Sequence, residues 1–191
     1  MRATQLIIAG FAALAATRPL TAQDDLFVAE LRPFVGAFVP IGKQGDDFRS
    51  ATMLGGQAAL ELSRYAHLVT SVSWTYGQAR FSGLADDLTF IWQYDAGAEF
   101  NLVGELTTDW MWRPFVGIGG GGRTYDYRTK GVDTRTCTAA YGAVGSELER
   151  GNIAVRFEAR DYVTCFESPI TGRKSTRTDL GLTLGFAYHL R

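Results

Sequence analysis

The sequence predicts an all-β protein, an eight-stranded antiparallel up-and-down transmembrane β-barrel. Three observations predict it: segments of about ten residues with alternating polarity, connections that are alternately long and short, and an export signal. The strand Ile153–Val163 shows the alternation well, because apolar side chains alternate there with Arg156, Glu158 and Arg160. On an open sheet this charged face would point into water, whereas in a closed membrane barrel it would point into the lumen.

The N-terminus has the pattern of a secretory signal peptide. Met1 and Arg2 form a short basic region, Leu6–Ala16 is apolar, and Thr21–Gln23 supplies small residues for cleavage. We therefore expect a signal peptide over residues 1–22 and an outer-membrane β-barrel over residues 23–191. The alternative is a buried N-terminal helix.

Composition agrees with an exported β protein. The chain has 22 glycines, 13% aromatic residues and only five prolines, which suits a β-barrel rich in glycine and aromatics. The net charge of −1 gives no reason to expect a nucleic-acid partner. The rest of the chain has no run of about 18 to 20 apolar residues, the length that a transmembrane helix needs.

The first four predicted strands alternate in polarity and end at polar loops or short turns. Leu31–Val39 and Met53–Leu62 are separated by the polar loop Gly42–Ser50. His67–Gln78 sets large apolar residues opposite serines and a threonine. Leu88–Leu102 alternates phenylalanine, tryptophan and tyrosine with glutamine, aspartate and glutamate.

The last four predicted strands repeat this pattern. Trp110–Arg123 is rich in glycine, and Ala139–Leu148 carries one glutamate opposite its apolar face. Ile153–Val163 follows a tight turn. In Thr178–Arg191 every second residue from Leu180 to Leu190 is a leucine, phenylalanine or tyrosine, and the opposite face has none of them.

The chain contains an internal repeat. The five residues Arg32–Gly36, RPFVG, recur as Arg113–Gly117, and a glycine-containing strand that ends in glutamate follows each copy. Hairpin units in series are typical of an up-and-down barrel. The alternative is that both copies are merely favourable strand openings.

Charged residues at inward positions predict the content of the lumen. An unpaired charge in a narrow barrel would cost several kcal/mol, so we expect arginines and glutamates to pair there. An eight-stranded barrel is only wide enough for side chains to fill it. We therefore expect a salt-bridged, largely plugged interior, although a polar site for a ligand or proton remains an alternative. The predicted network comprises Arg32, Glu61, Glu99, Arg113, Glu147, Arg156, Glu158 and Arg160.

Aromatic residues at outward positions predict two interfacial girdles. A hairpin centred near Leu84 would place Trp74 opposite Tyr94 and Tyr76 opposite Trp92. The alternative is the aromatic core of a soluble sandwich. The predicted girdles comprise Trp74, Tyr76, Trp92 and Tyr94 near a long loop, and Trp110 and Trp112 near a short turn.

The two cysteines are expected to form a disulfide. Both lie in an exported chain, where cysteines commonly pair. Cys137 lies fourteen residues before Gly151 and Cys165 lies fourteen after it, so antiparallel pairing would place them opposite each other. The alternative is two unpaired thiols.

The sequence resembles the small OmpA/OmpX-type outer-membrane β-barrels. The RPFVG strand openings, the strand VRFEARDYV and the closing strand LGLTLGFAYHLR carry the resemblance. It implies insertion by the barrel-insertion machinery, which reads the C-terminal strand, although such strands typically end in an aromatic residue and this one ends in Leu190–Arg191. The family includes structural anchors, adhesins and small-solute proteins.

We expect a monomeric, non-enzymatic outer-membrane protein without cofactor or metal. Its expected partners are outer-membrane lipid and lipopolysaccharide, met by four polar loops. Neither histidine, His67 nor His189, lies where a surface-facing serine–histidine pair would form. The alternatives are a narrow conduit or binder for small solutes and a secreted lipocalin-like barrel. The four loops are Gly42–Ser50, Phe81–Asp87, Tyr125–Thr136 and Ser168–Arg177.

Overall fold

The computed structural model describes residues 29–80, 88–102, 104–105, 110–128, 131–169 and 171–190. The predicted signal peptide, the loop Phe81–Asp87 and Arg191 lie outside the described residues.

Eight long strands form the barrel wall. Seven of them begin earlier or end later than predicted, most of all at the end that carries the long loops, because polar residues there continue the same alternation. The strand that begins at Leu88 ends at Asn101, one residue before the predicted end. A five-residue helix and a two-residue strand were not predicted. The elements are β1 (Ala29–Ile41), α1 (Lys43–Asp47), β2 (Ala51–Ser63), β3 (Ala66–Gln78), β4 (Leu88–Asn101), β5 (Gly104–Glu105), β6 (Met111–Tyr127), β7 (Arg135–Arg150), β8 (Ile153–Glu167) and β9 (Lys174–Leu190).

The sheet closes on itself. Sequential long strands pair antiparallel, β4 pairs with β6, β5 extends the edge of β6, and β1 pairs with β9 to complete the circle. When the residue pairing is followed from strand to strand around the barrel, a path that starts at Val163 of β8 returns to β8 at Ile153, ten residues earlier in the chain (163 to 153). This stagger tilts the strands. The path runs through Ala140, Gly120, Ala96, Thr70, Ala58, Leu31 and Tyr188.

Apolar side chains cover the outside and polar ones fill the inside. Leucine, valine, isoleucine and phenylalanine are exposed along the outer face of every long strand, while arginines, glutamates and aspartates are buried within. This is the arrangement of a transmembrane barrel. The lipocalin-like alternative is wrong, since such a barrel would carry its apolar residues inside. Among the described residues, no helix is long and apolar enough to cross a membrane.

Two register predictions were inaccurate. Trp74 lies opposite Trp92, with ring centroids 6.4 Å apart, and Tyr76 lies opposite Phe90. The β3–β4 register therefore differs by two residues from the predicted one, which moves the centre of the hairpin by one residue and preserves the facing of every side chain.

The predicted disulfide joins Cys137 to Cys165, with Cα atoms 5.5 Å apart. The β7–β8 register pairs Ala139 with Thr164, one residue away from the register that the symmetric spacing about Gly151 predicts. The disulfide lies at the loop end of these strands, far from their connecting turn.

Candidate functional site

Arg156 on β8 is the centre of the charged interior. Its guanidinium contacts three carboxylates: Glu99 on β4 at 2.5 Å, Glu158 at 2.9 Å, and Glu147 on β7. It also stacks on the ring of Phe115, 3.6 Å from the centroid. The side chains of Arg156, Glu147 and Glu158 are at least 96% buried, and that of Glu99 is 95% buried. These ion pairs are therefore desolvated, and they are tolerable only because every charge has a partner.

The network continues toward the loop end through Arg160. Arg160 pairs with Glu158 and, at 3.3 Å, with Asp95 on β4. Tyr162 donates a hydrogen bond to the same Asp95 carboxylate at 2.9 Å, and Ser71 accepts one from Arg160 at 2.9 Å. Successive inward-facing residues of β8 thus contact strands on the far side of the lumen.

Above this level Arg123 on β6 pairs with Asp179 on β9, with a second contact of 3.0 Å. Arg123 also donates to Gln93 at 2.5 Å. Both charged residues are at most 2% exposed. This pair spans the lumen between strands that are not neighbours.

Toward the chain termini, Glu30 is surrounded by Arg32, His67 and His189. Arg32 lies 2.6 Å from one carboxylate oxygen, while His189 Nε2 lies 3.0 Å and His67 Nε2 3.6 Å from the other. Asn101 is hydrogen-bonded to His67 Nδ1 at 2.7 Å. All of these side chains are buried, so this cluster fills the terminal end of the lumen.

Six of the eight predicted interior residues come together: Arg32, Glu99, Glu147, Arg156, Glu158 and Arg160. The other two do not join them. Arg113 pairs instead with Glu149 at 2.9 Å and is partly exposed. Glu61 is half-buried beside the register shift at Glu61/Ser63, and it forms no ion pair among the described residues.

Sequence reasoning missed Glu30, Asp95, Arg123 and Asp179 as members of the network. Asp95 and Asp179 were both at recognised inward positions, but neither was included in the predicted charge network. Glu30 lies one residue before the predicted start of its strand, so only a longer strand would have included it. The facing of Arg123 follows from the alternation of β6, which continues to Tyr127.

The outer mouth of the barrel, at the loop end, holds a largely aromatic cluster. Phe48 lies against Tyr125 and Phe166, with ring centroids 5.6 and 6.0 Å away. Gln44 of α1 is fully buried beside them and donates to the hydroxyl of Tyr125 at 3.3 Å. The loop that contains α1 therefore folds into the mouth.

All six predicted girdle residues are exposed on the outside. Trp112 Nε1 donates to Ser146 at 2.6 Å, and Arg150 lies 5.5 Å from the ring of Trp110. The exposed set is Trp74, Tyr76, Trp92, Tyr94, Trp110 and Trp112.

The charged side chains of the interior are partnered with one another. Every arginine in it faces at least one carboxylate, and two cavities within it measure about 10 Å³ each, roughly the room for one water. In the described part of the chain, no group of three or more His, Cys, Asp or Glu is arranged to hold a metal ion.

Comparison with solved structures shows which known folds this barrel is similar to. The chain has the fold of the small outer-membrane β-barrels, which confirms the resemblance to OmpA/OmpX-type barrels at the level of the fold. OprG from Pseudomonas aeruginosa matches with a TM-score of 0.63 and 13% identity, over 86% of this chain and 96% of that one. Neisserial surface protein A matches with a TM-score of 0.58 and 11% identity, over 84% and 96%.

The outer membrane protein AlkL, solved in lipid bilayers, matches with a TM-score of 0.50 and 14% identity, over 92% of this chain and 96% of that one. No family model and no curated protein matches the sequence. The fold, with its apolar outer face, is that of a barrel embedded in the outer membrane.

Proposed function

We propose that this chain is a structural and surface-interaction protein of the outer membrane, with a closed, salt-bridged interior. The observation that carries the proposal is the three-carboxylate contact of Arg156, which bridges β8, β4 and β7 across the lumen. Together with the Arg123–Asp179 pair above it and the Glu30 cluster below it, this network supports a plugged barrel that anchors its loops instead of conducting solutes. We propose no catalytic role.

The loops are the surface that remains for interaction. In transmembrane barrels of this kind the long loops face outward and the short turns face the periplasm. The last loop presents the exposed cations Arg173 and Lys174. Phosphate groups of lipopolysaccharide are the partner that these cations would favour. The outward tryptophans and tyrosines support the two interfacial girdles, and the apolar band supports direct contact with lipid.

Two further assignments belong to this proposal. The C-terminal strand β9, whose outer face ends in Tyr188 and Leu190, would be the segment that the insertion machinery reads. The barrel would act as a monomer, because its closed sheet has no free long edge to pair with another copy.

Conductance in planar lipid bilayers tests the closed interior. We expect no steady single-channel conductance from the purified, folded protein. A stable ohmic conductance would refute the plug and would favour the alternative of a narrow conduit for small solutes.

The proposed loop contact has a separate test. We expect Arg173→Gln combined with Lys174→Gln to weaken binding of the protein in lipid nanodiscs to lipopolysaccharide, and added salt to reduce the binding of the unaltered protein. Equal binding with and without these cations would contradict the assignment. Arg64→Gln, an exposed cation at the opposite end of the barrel, is the matched control.

A further inference from the structure

The loop between β1 and β2 places the polar side chain of Gln44 beside a largely aromatic cluster at the mouth of the barrel. Gln44 is 0% exposed, and its Oε1 forms no hydrogen bond with any described residue. Its amide makes one long hydrogen bond, 3.3 Å, to Tyr125. Burying an amide oxygen without a hydrogen-bond partner lowers the stability of the protein, because the oxygen loses its contacts with water. The position therefore accepts an amide without fully satisfying this one.

The walls around Gln44 are suited to a planar, neutral molecule. The rings of Phe48 and Tyr125 are stacked at 26°, and Phe166 meets both nearly edge-on, at 88° and 86°. The neighbouring charges are already neutralised in pairs, Arg123 with Asp179 below and Asp47 with Arg177 at the rim. Aromatic walls with a few hydrogen-bonding groups are typical of small-molecule sites.

The helix that carries Gln44 is held weakly at its N-terminal side. α1 follows Gly42, whose φ of 54° suits glycine, and it has no side-chain cap. Its C-terminal side is fixed, because Phe48 forms a β-bridge with Ala79. An opening of α1 about Phe48 would break the hydrogen bond from Arg80 to the Gly45 carbonyl and withdraw Gln44, while Phe48 would stay as a wall.

An ion pair helps to hold α1 against the barrel, together with hydrogen bonds that Arg80 donates to the carbonyl oxygens of Asp47, at 2.8 Å, and Gly45, at 3.5 Å. Asp47 lies 2.5 Å from Arg177 on β9, and both side chains are less than a fifth exposed. Arg177 is positioned by stacking on Phe166, 5.0 Å from the ring centroid, and by a hydrogen bond to Ser175. This pair is a latch that keeps Gln44 in the mouth.

We propose that the outer mouth is a binding site for a small, neutral, planar amide, and that Gln44 occupies this site as a built-in competitor. The ligand's amide would donate to the hydroxyl of Tyr125, and its flat face would lie against the ring of Phe48. Opening of α1 would expose the site.

The ionisation of Asp47 supports a movable α1. Burial raises the pKa of its carboxyl above the ordinary value, with Asp46 adding to the rise and Arg177 opposing it. Tyr127 on β6 also faces this carboxylate. A raised pKa means that the closed position is favoured below the ordinary pKa of aspartate and loses that advantage as the pH rises through the raised value. At neutral pH the ionised carboxylate therefore depends on Arg177.

The test measures opening and binding separately, in folded protein in lipid nanodiscs. Opening is the rate at which a maleimide labels Gln44→Cys, relative to the exposed Lys43→Cys. Binding is the broadening of the fluorine NMR signal of 4-fluorobenzamide, with empty nanodiscs subtracted. We expect Arg177→Gln to raise both the labelling rate and the affinity about fivefold, since the apparent affinity follows the open fraction. Arg135→Gln, which breaks another rim pair, should change neither.

Two more variants decide the outcome. Gln44→Ala removes the competitor without touching the latch and should also bind the probe more tightly than the unaltered protein. Tyr125→Phe in the Arg177→Gln background should weaken binding again. Faster labelling without tighter binding in Arg177→Gln, or unchanged binding in Gln44→Ala, would overturn the site, and unchanged labelling in Arg177→Gln would overturn the latch.

Discussion

Replacing Arg156 by methionine is the sharpest test of the charged interior. Methionine keeps an unbranched side chain of similar length, so the change removes charge and hydrogen bonds without leaving a large cavity. The three carboxylates that Arg156 contacts differ in the partners that they would keep without it. Glu158 keeps Arg160 and Glu99 keeps Arg32, whereas Glu147 keeps only a 3.7 Å contact with Arg32.

The expected cost follows from that inventory. Removing one partner of a buried ion pair typically costs about 3–5 kcal/mol, because a desolvated charge is left behind. Most of the cost should come from Glu147, whose side chain is 2% exposed. We therefore expect Arg156→Met to lower the free energy of unfolding by about 3–5 kcal/mol, and Glu147→Gln in the same background to recover part of the loss.

Unfolding by urea in lipid vesicles, followed by tryptophan fluorescence and by the mobility of unheated samples, measures the free energy. The matched control is Arg135→Met. Arg135 pairs with Glu167 at 3.1 Å, but the two side chains are 37% and 23% exposed, so about 0–1 kcal/mol should be lost.

Two results would refute the reasoning. One is a loss in Arg156→Met that lies within about 1 kcal/mol of the loss in the control. The other is further destabilisation of Arg156→Met by Glu147→Gln, because neutralising a stranded carboxylate should help and not harm.

Three other changes have definite expected outcomes. Gly145→Ala should destabilise the barrel by about 1–3 kcal/mol, since the new Cβ would collide with a phenylalanine ring and a backbone carbonyl, whereas Gly142→Ala meets nothing within 4 Å and should be nearly neutral in the same unfolding assay. Cys137→Ser opens a disulfide of sequence separation 28 and should cost about 2–4 kcal/mol, matched by reduction of the unaltered protein; equal unfolding midpoints with and without reductant would contradict this. Trp112→Phe and Ser146→Ala should each cost about 1 kcal/mol and show coupling in a double-mutant cycle, and additive losses would rule out the hydrogen bond.

Alternating polarity was enough to predict the strands and their facing. In β9, for example, Leu184 and Phe186 face outward and Thr183 faces inward, as the sequence pattern requires. Register was harder, because a slip of two residues at Trp74 leaves every facing unchanged and so leaves no trace in the pattern.

The interior was predictable only where charged residues fell within a recognised strand. Arg156, Glu158 and Arg160 satisfied that condition, but Glu30 lay just outside it. Which partner each charge would find depends on the stagger of the closed sheet, so no short-range pattern indicates that Arg156 meets Glu99 across the lumen. The insertion of Gln44 into the mouth is likewise a tertiary contact, and its loop reads as an ordinary polar connection.

The charged interior also affects how the barrel can assemble. Arg156 on β8 and Glu99 on β4 meet only when the sheet has curled fully, and Glu30 meets His189 only when β1 joins β9. In a half-formed sheet within the bilayer these groups would face hydrocarbon or unpaired neighbours, at a cost of several kcal/mol each. Partly inserted intermediates are thereby penalised, and the wall should close cooperatively, with the last seam joining as the charges find their partners.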